Sequence, residues 1–164
     1  MKIMIFYTLT LFLVSWVQMA SDYFLGITGL SPNIVLIVVL YFGLVRGPMG
    51  GVLLGFFWGM MMDASSLGVM GLHALLYSGA GYLAGMLRRQ LDEKKAWTQS
   101  IFSLGISFIY RVLYFVLDRI FSTGPHPLSW SVAVEPLLNA AMAPVFFWLM
   151  DAWCQLWDVR PVED

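Results

Sequence analysis

Long apolar runs, separated by short polar or proline-containing segments, follow one another along almost the whole chain. A helix needs about 20 mostly apolar residues to cross the hydrocarbon core of a membrane. The runs predict six transmembrane helices, of which the second and third are short. Their expected ranges are residues 2–20, 32–45, 48–62, 70–87, 98–120 and 131–157. We therefore expect an all-α integral membrane protein in which residues 1–164 form a single transmembrane domain.

Composition agrees with a chain that is solvated by lipid. Hydrophobic residues make up 60% of the 164 positions and charged residues only 12%, whereas about a quarter of a soluble domain is charged. The net charge of −1 gives no basic character for a nucleic-acid partner, and none is expected. Cys154 is the single cysteine, so an intramolecular disulfide and a cysteine-based zinc cluster are excluded.

The first apolar run could be mistaken for a secretion signal, because Lys2 is followed directly by apolar residues. Gln18 and Ala20 do not supply the small-x-small pattern of a cleavage site. We interpret the run as a first membrane helix that is retained.

Basic residues predict the orientation of the bundle. Cytoplasmic loops of membrane proteins carry an excess of Lys and Arg. If the N-terminus is cytoplasmic, seven of the nine basic residues fall on the inner side: Lys2, Arg46, Arg88, Arg89, Lys94, Lys95 and Arg160. An even number of crossings then places both termini in the cytoplasm.

A series of glycines marks the third run, because Gly47, Gly51, Gly55 and Gly59 are spaced four residues apart. On a helix this spacing forms one stripe, and glycine lets two membrane helices approach closely. Asp63 is the next member of the series. Its side chain should therefore face protein, since a charge at membrane depth needs a partner inside the bundle.

The fourth run carries a second face of small residues at spacings of three and four. Its connection to the third run is short, which favours an antiparallel hairpin; a docking face for another chain's helix is the alternative. The residues of this second face are Gly71, Ala74, Ser78, Gly81 and Gly85.

A polar cluster is expected near the outer side of the membrane. Arg111 lies about 20 Å from the inner boundary by helix rise, and an Arg at a helix centre costs about 2.5 kcal/mol or more on insertion scales. It should therefore be paired. Asp63 and Glu135 come from other runs and could converge on it, and His73 and Asn139 lie at similar depth.

Three interpretations of this buried polar cluster are open: an ion-pair lock between helices, a small-molecule pocket, and a proton relay or hydrolase site. The sequence has no zinc-protease helix motif, nucleophile elbow or phosphate-binding Walker loop. We therefore predict that the protein is not an enzyme and needs no cofactor and no metal.

Residues 31–85 resemble the core of the MreD family, the rod shape-determining membrane proteins of bacteria. The resemblance rests on Pro32, the Gly47-Pro48 turn, the glycine series that ends in Asp63, and the segment from Gly68 to His73. It covers about a third of the chain closely. Outside that third the first, fifth and sixth runs agree only in general character, so the resemblance does not include Arg111.

The resemblance implies a role in the machinery that builds side-wall peptidoglycan. MreD-like proteins associate in the inner membrane with MreC, and the wider assembly includes RodA, its partner transpeptidase and MreB. Their fold is similar to the substrate-binding subunits of energy-coupling-factor vitamin transporters, which are six-helix bundles with both termini inside. The expected function is a non-catalytic, multi-pass scaffold, surrounded by membrane lipid, that binds MreC and maintains rod shape.

The same likeness supplies an alternative function, the substrate-binding subunit of a vitamin transporter. Such subunits typically present an Ala-x-x-x-Ala face on the first helix to their coupling partner. Residues 6–14 contain no alanine, and the first in this run is Ala20. The transporter interpretation is weaker for that reason.

Overall fold

A computed structural model of the chain describes residues 2–25, 31–65, 69–91, 95–121 and 131–159. Within these ranges helices account for all the regular secondary structure. In chain order they are α1 (Lys2–Leu25), α2 (Ile34–Ser65), α3 (Leu72–Leu87), α4 (Ala96–Phe121) and α5 (Ser131–Leu156).

Four of these helices are long and apolar enough to cross a membrane: α1, α2, α4 and the stretch Ala133–Leu156 of α5. The chain is thus an all-α integral membrane protein. The count differs from the six separate spans predicted, because the second and third runs follow each other without a loop in α2 and α3 has only 16 residues. The first run also continues to Leu25, beyond its predicted end.

Helix α2 reverses direction at Gly47, whose φ of 79° and ψ of −177° are not helical. Pro48 follows, and proline has no N–H to continue a helix. The rings of Phe42 and Trp58 lie 6.0 Å apart, whereas 16 residues of straight helix would separate them by about 24 Å. The sequence therefore forms a first arm (residues 34–46) and a second arm (residues 48–65) that lie side by side.

The first arm occupies the centre of the bundle. Its residues from Val35 to Leu40 are fully buried, and its sequence has no polar face. A helix that is hydrophobic all round is one that is surrounded by protein or lipid. Here protein surrounds it, so the first arm is the core on which the other helices pack.

The second arm and α3 run antiparallel with their backbones in direct contact. A Cβ added at Gly51, Gly55 or Gly59 would lie closer than 3.0 Å to the backbone of α3. The facing backbone belongs to Gly81, Tyr77 and Ala74 respectively. Such contact is possible only where side chains are absent or very small, which explains the four-residue spacing of the glycines.

Gly43 of the first arm belongs to the same contact, although the sequence analysis did not include it. A Cβ at Gly43 would lie 2.6 Å from the carbonyl oxygen of Gly81, and one at Gly51 would lie 3.0 Å from the Cα of Gly43. Both arms of α2 therefore meet α3 at Gly81, and three helical segments form one glycine-packed unit.

Two glycines of the predicted packing set, Gly47 and Gly71, lie at turns of the chain. Gly71 has φ of 91°, and no described heavy atom lies within 4 Å of a Cβ added there. The prediction that Gly71 packs against a neighbouring helix is wrong. Gly47 has a positive φ as well, and a Cβ added at Gly85 of α3 would lie 2.5 Å from the Gly47 carbonyl carbon. Glycine is favoured at both positions because L side chains rarely adopt this conformation.

Basic side chains collect at one end of the bundle, which we call the basic end. Arg46 is the last residue of the first arm, and its Nη2 lies 3.5 Å from the carbonyl oxygen of Val159, which follows α5. Arg88 follows α3, and its side chain approaches Gly47. Lys2 at the start of α1 and Lys95 just before α4 lie at the same end by helix order. The opposite, polar end contains the start of both α2 and α3.

We expect Gly81→Leu to destabilise the protein, because its added atoms would collide with the backbone of Gly51. Overpacking costs typically about 1–3 kcal/mol, so the thermal unfolding midpoint in detergent and the membrane level should both fall. Gly79→Leu is the matched control two residues away, where no described heavy atom lies within 4 Å of the added Cβ. Equal stability of the two variants would contradict the close contact.

Candidate functional site

A polar cavity of about 340 Å³ opens at the polar end of the bundle and receives side chains from all five helices. Most of its lining residues carry a hydroxyl, amide, imidazole, guanidinium or carboxylate group. They are Gln18, Asp22, Ser31, Pro32, Asn33, Met62, His73, Tyr77, Tyr110, Arg111, Tyr114 and Glu135.

Asp63, near the end of the second arm, caps the N-terminus of α3. Its Oδ2 accepts hydrogen bonds from the N–H groups of Gly71 at 3.0 Å and Ala74 at 3.1 Å. Its Oδ1 accepts one from the N–H of His73 at 3.0 Å and lies 2.8 Å from His73 Nδ1. Because Gly71 has no side chain to cap the helix, the buried carboxylate of Asp63 satisfies the free N–H groups of the first turn.

Arg111 of α4 is paired with Glu135 of α5. Its Nη1 lies 3.0 Å from Glu135 Oε2, and the two side chains are 26% and 13% exposed. A partly buried guanidinium and carboxylate in contact reduce each other's cost of leaving water. From the sequence, Asp63 and Glu135 were both candidate partners of Arg111, and the structure pairs it with Glu135.

Asn139 and Asn33 connect α5 with the start of α2. Asn139 is fully buried; its Oδ1 accepts from the Asn33 N–H at 2.7 Å, and its Nδ2 donates to Ser107 Oγ at 3.0 Å. Asn33 Oδ1 accepts from the Leu36 N–H at 3.0 Å and from the Tyr77 hydroxyl at 2.9 Å. Asn33 is thus the N-cap of α2 and a junction of three helices.

Gln18 of α1 satisfies the same helix start from the other side. Its Oε1 accepts from the N–H groups of Ile34 at 2.7 Å and Val35 at 3.4 Å. Its Nε2 donates to Asp22 Oδ1 at 3.0 Å and to the Pro32 carbonyl at 3.2 Å. This role of Gln18 was not predicted, and the signal for it in the sequence was a glutamine that interrupts an apolar run.

Aromatic rings form one wall of the cavity. Tyr77 and Tyr110 are stacked with centroids 5.3 Å apart, and His73 lies 5.1 Å from Tyr114. These rings pack α3 against α4 at the polar end of the bundle. Tyr110 and Tyr114 were not predicted as part of the site, because aromatic residues are too common in membrane helices to stand out.

The five residues of the predicted polar cluster therefore lie at one end of the bundle, where they join different pairs of helices. Asp63 and His73 join the two ends of the α2–α3 connection, while Arg111, Glu135 and Asn139 join α4 to α5 and α2. Within the described ranges no group of three or more His, Cys, Asp or Glu side chains could hold a metal ion. The geometry is that of a structural network around a small polar cavity.

We expect Asp63→Ala to loosen the first turn of α3, since three N–H groups lose their acceptor. An unsatisfied buried donor costs about 1–3 kcal/mol. Asp63→Asn retains one acceptor oxygen and should lie between the wild type and the alanine variant. Hydrogen exchange at residues 71–74 measures the effect directly, and unchanged exchange in Asp63→Ala would refute the capping role.

A double-mutant cycle tests the pair of Arg111 and Glu135. The losses of unfolding free energy caused by Arg111→Gln and Glu135→Gln should be less than additive in the double variant. The expected coupling energy is about 0.5–3 kcal/mol in detergent unfolding. The control cycle uses Arg119→Gln, a basic residue further along α4 that does not line the cavity. The same coupling in both cycles would show that the specific contact contributes nothing.

Comparison with known proteins identifies a family that the chain matches. A family model described as rod shape-determining protein MreD matches residues 1–156 of the 164-residue chain. No curated protein and no solved structure matches. The matched family determines cell shape and is not a known family of enzymes. Since the match covers nearly the whole chain, including the helices long enough to cross a membrane, this chain belongs to the MreD family of rod shape-determining membrane proteins.

Proposed function

We propose that this protein is a non-catalytic scaffold of the cell-wall elongation machinery, which binds MreC in the bacterial inner membrane and helps position peptidoglycan synthesis. The observation that carries the proposal is the family match over residues 1–156. RodA, its partner transpeptidase and MreB are the proposed members of the wider assembly. The family match gives no support to the vitamin-transporter alternative.

The packing supports a scaffold because it combines a rigid centre with exposed helices. The glycine-packed unit of α2 and α3 has backbone against backbone, so little can move inside it. Most of α2 is buried, whereas only 28% of the most apolar stretch of each of α1, α4 and α5 is buried. Membrane helices associate through close packing on such surfaces, and a partner's single helix could bind there without disturbing the centre.

We also propose six membrane crossings with both termini in the cytoplasm. The two arms of α2 count as separate crossings and α3 as a third, which gives the bundle expected from the likeness to energy-coupling-factor subunits. The first arm measures about 20 Å by helix rise, less than the hydrocarbon thickness. Its short length is tolerable because Gln18 and Asn33 satisfy its first N–H groups inside the protein.

The basic end is proposed to face the cytoplasm. Arg46, Arg88 and Lys95 lie there, and the acidic residues Asp22, Asp63 and Glu135 lie at the polar end. This distribution follows the positive-inside rule. The polar cavity would then open toward the periplasm, on the side where peptidoglycan is assembled.

A pull-down from native membranes tests the MreC interaction. We expect the tagged chain, solubilised in mild detergent, to recover MreC together with elongation enzymes, and the same tagged chain to restore rod shape to a strain that lacks it. The Gly79→Leu and Gly81→Leu variants provide a matched pair. The first should recover MreC at the wild-type ratio per folded molecule, and the second should lose it as the scaffold unfolds.

Two outcomes would contradict the proposal in different ways. Restoration of rod shape without recovery of MreC would retain the family role and refute the scaffold contact. Recovery of a coupling subunit with two ATPases would favour the transporter alternative and make the polar cavity a substrate site.

A further inference from the structure

An apolar groove of about 560 Å³ runs between α1 and the second arm of α2, away from the polar cavity. Tyr7 and Leu11 line it from α1, and Leu53, Leu54 and Phe57 line it from the second arm. Leu53 and Phe57 are 51% and 57% exposed, so the rim of the groove faces the surrounding membrane.

Arg46 closes the end of this groove that lies at the basic end. Among the described residues it is the one charged residue that lines the groove. Its Nε is buried and has no hydrogen-bond partner among the described residues. Its Nη2 is 3.5 Å from the Val159 carbonyl oxygen, the outer limit for a hydrogen bond. The Arg46 Cζ also lies 5.9 Å from the centroid of the Tyr7 ring.

Among the residues that the structure describes, these contacts give the positive charge of Arg46 no negative partner. Within the part of the chain that the structure describes, no carboxylate lies within ion-pair distance of it. A cation at a membrane boundary that is partly removed from water gains from an anion beside it. The nearby Arg88, which approaches Gly47, adds a second positive charge at the same end.

We propose that the groove binds an anionic phospholipid, with one acyl chain along its apolar walls and the phosphate on Arg46. The walls and the charge match the two parts of such a molecule. The lining of the second arm runs from Gly50 to Phe57, about 10 Å by helix rise. That length holds part of an acyl chain and places its headgroup at the arginine.

The chemistry of the groove favours a lipid over a partner's helix. Its walls are apolar, and its one charged lining residue among the described ones, Arg46, lies at the basic end. An acyl chain that ends in a phosphate has this same distribution of apolar surface and charge.

Lipid retention by the purified full-length protein tests the site. The probes are phosphatidylglycerol and phosphatidylcholine with identical acyl chains, titrated into detergent solution and measured by native mass spectrometry. We expect the wild type to bind phosphatidylglycerol at least about fivefold more tightly, the ratio that one basic residue near a membrane surface provides. Arg46→Gln should abolish this preference and Arg46→Lys should retain it. Arg89→Gln, at the same end but outside the groove lining, is the control and should behave as the wild type does.

A second pair of variants decides the question if Arg46→Gln does not fold. Thr8 is exposed and lines the groove from α1, so Thr8→Trp should fill it and reduce binding of phosphatidylglycerol. Leu9→Trp introduces the same side chain at an exposed neighbour that does not line the groove, and should bind lipid normally.

Unchanged phosphatidylglycerol binding in Thr8→Trp, or equal binding of both lipids by the wild type, would overturn the proposal. So would loss of MreC recovery in Thr8→Trp with lipid binding intact, because the occupant would then be a protein helix.

Discussion

Hydrocarbon offers no hydrogen-bond partners, so every helix end inside this bundle must find its acceptors within the protein. That constraint organises the polar end. Gln18 and Asn33 satisfy the first N–H groups of α2, and Asp63 satisfies those of α3. The side chains that do this come from different helices, so satisfying the backbone also fixes how the helices are arranged. The small polar cavity is the space that remains between these caps.

Close backbone contact holds the centre of the bundle together, and the caps hold its polar end. Glycine at Gly43, Gly51 and Gly81 removes the side chains that would separate three helical segments. Little hydrophobic force drives helices together in lipid, so dispersion between close surfaces has to supply the attraction. The two devices are linked through α3, which is capped by Asp63 at its start and packed on glycine along its length.

The sequence predicted the parts of this architecture that depend on local periodicity. The spacing of Gly51, Gly55 and Gly59 predicted one contact face, because a helix repeats its direction about every four residues. Asp63 was expected to face protein for the same reason. The family resemblance, which rested on a third of the chain, is confirmed by a match over residues 1–156.

The parts that depend on long-range placement could not be predicted. Gly43 takes part in the glycine contact only because α2 reverses direction at Gly47. The angle between the two arms cannot be predicted from the local sequence. Asp63 was expected near a cation, yet its carboxylate also receives three N–H groups, and the position of that helix start is a property of the fold. The sequence around Gln18 does not show that it accepts from the N–H groups of Ile34 and Val35, which lie 16 and 17 residues further along the chain.

The bond between Asn139 and Asn33 has a consequence for how the protein is made. Asn33 begins the central arm, but the side chain that accepts its N–H is 106 residues downstream. During synthesis the first arm of α2 is made and can enter the membrane well before α5 is made. The uninterrupted apolar sequence of the first arm suits this delay, since lipid can surround the arm in the meantime. Insertion of α5 is therefore the step that completes the bundle. Truncation before residue 139 would leave the Asn33 N–H, at the start of the first arm, without the Asn139 acceptor.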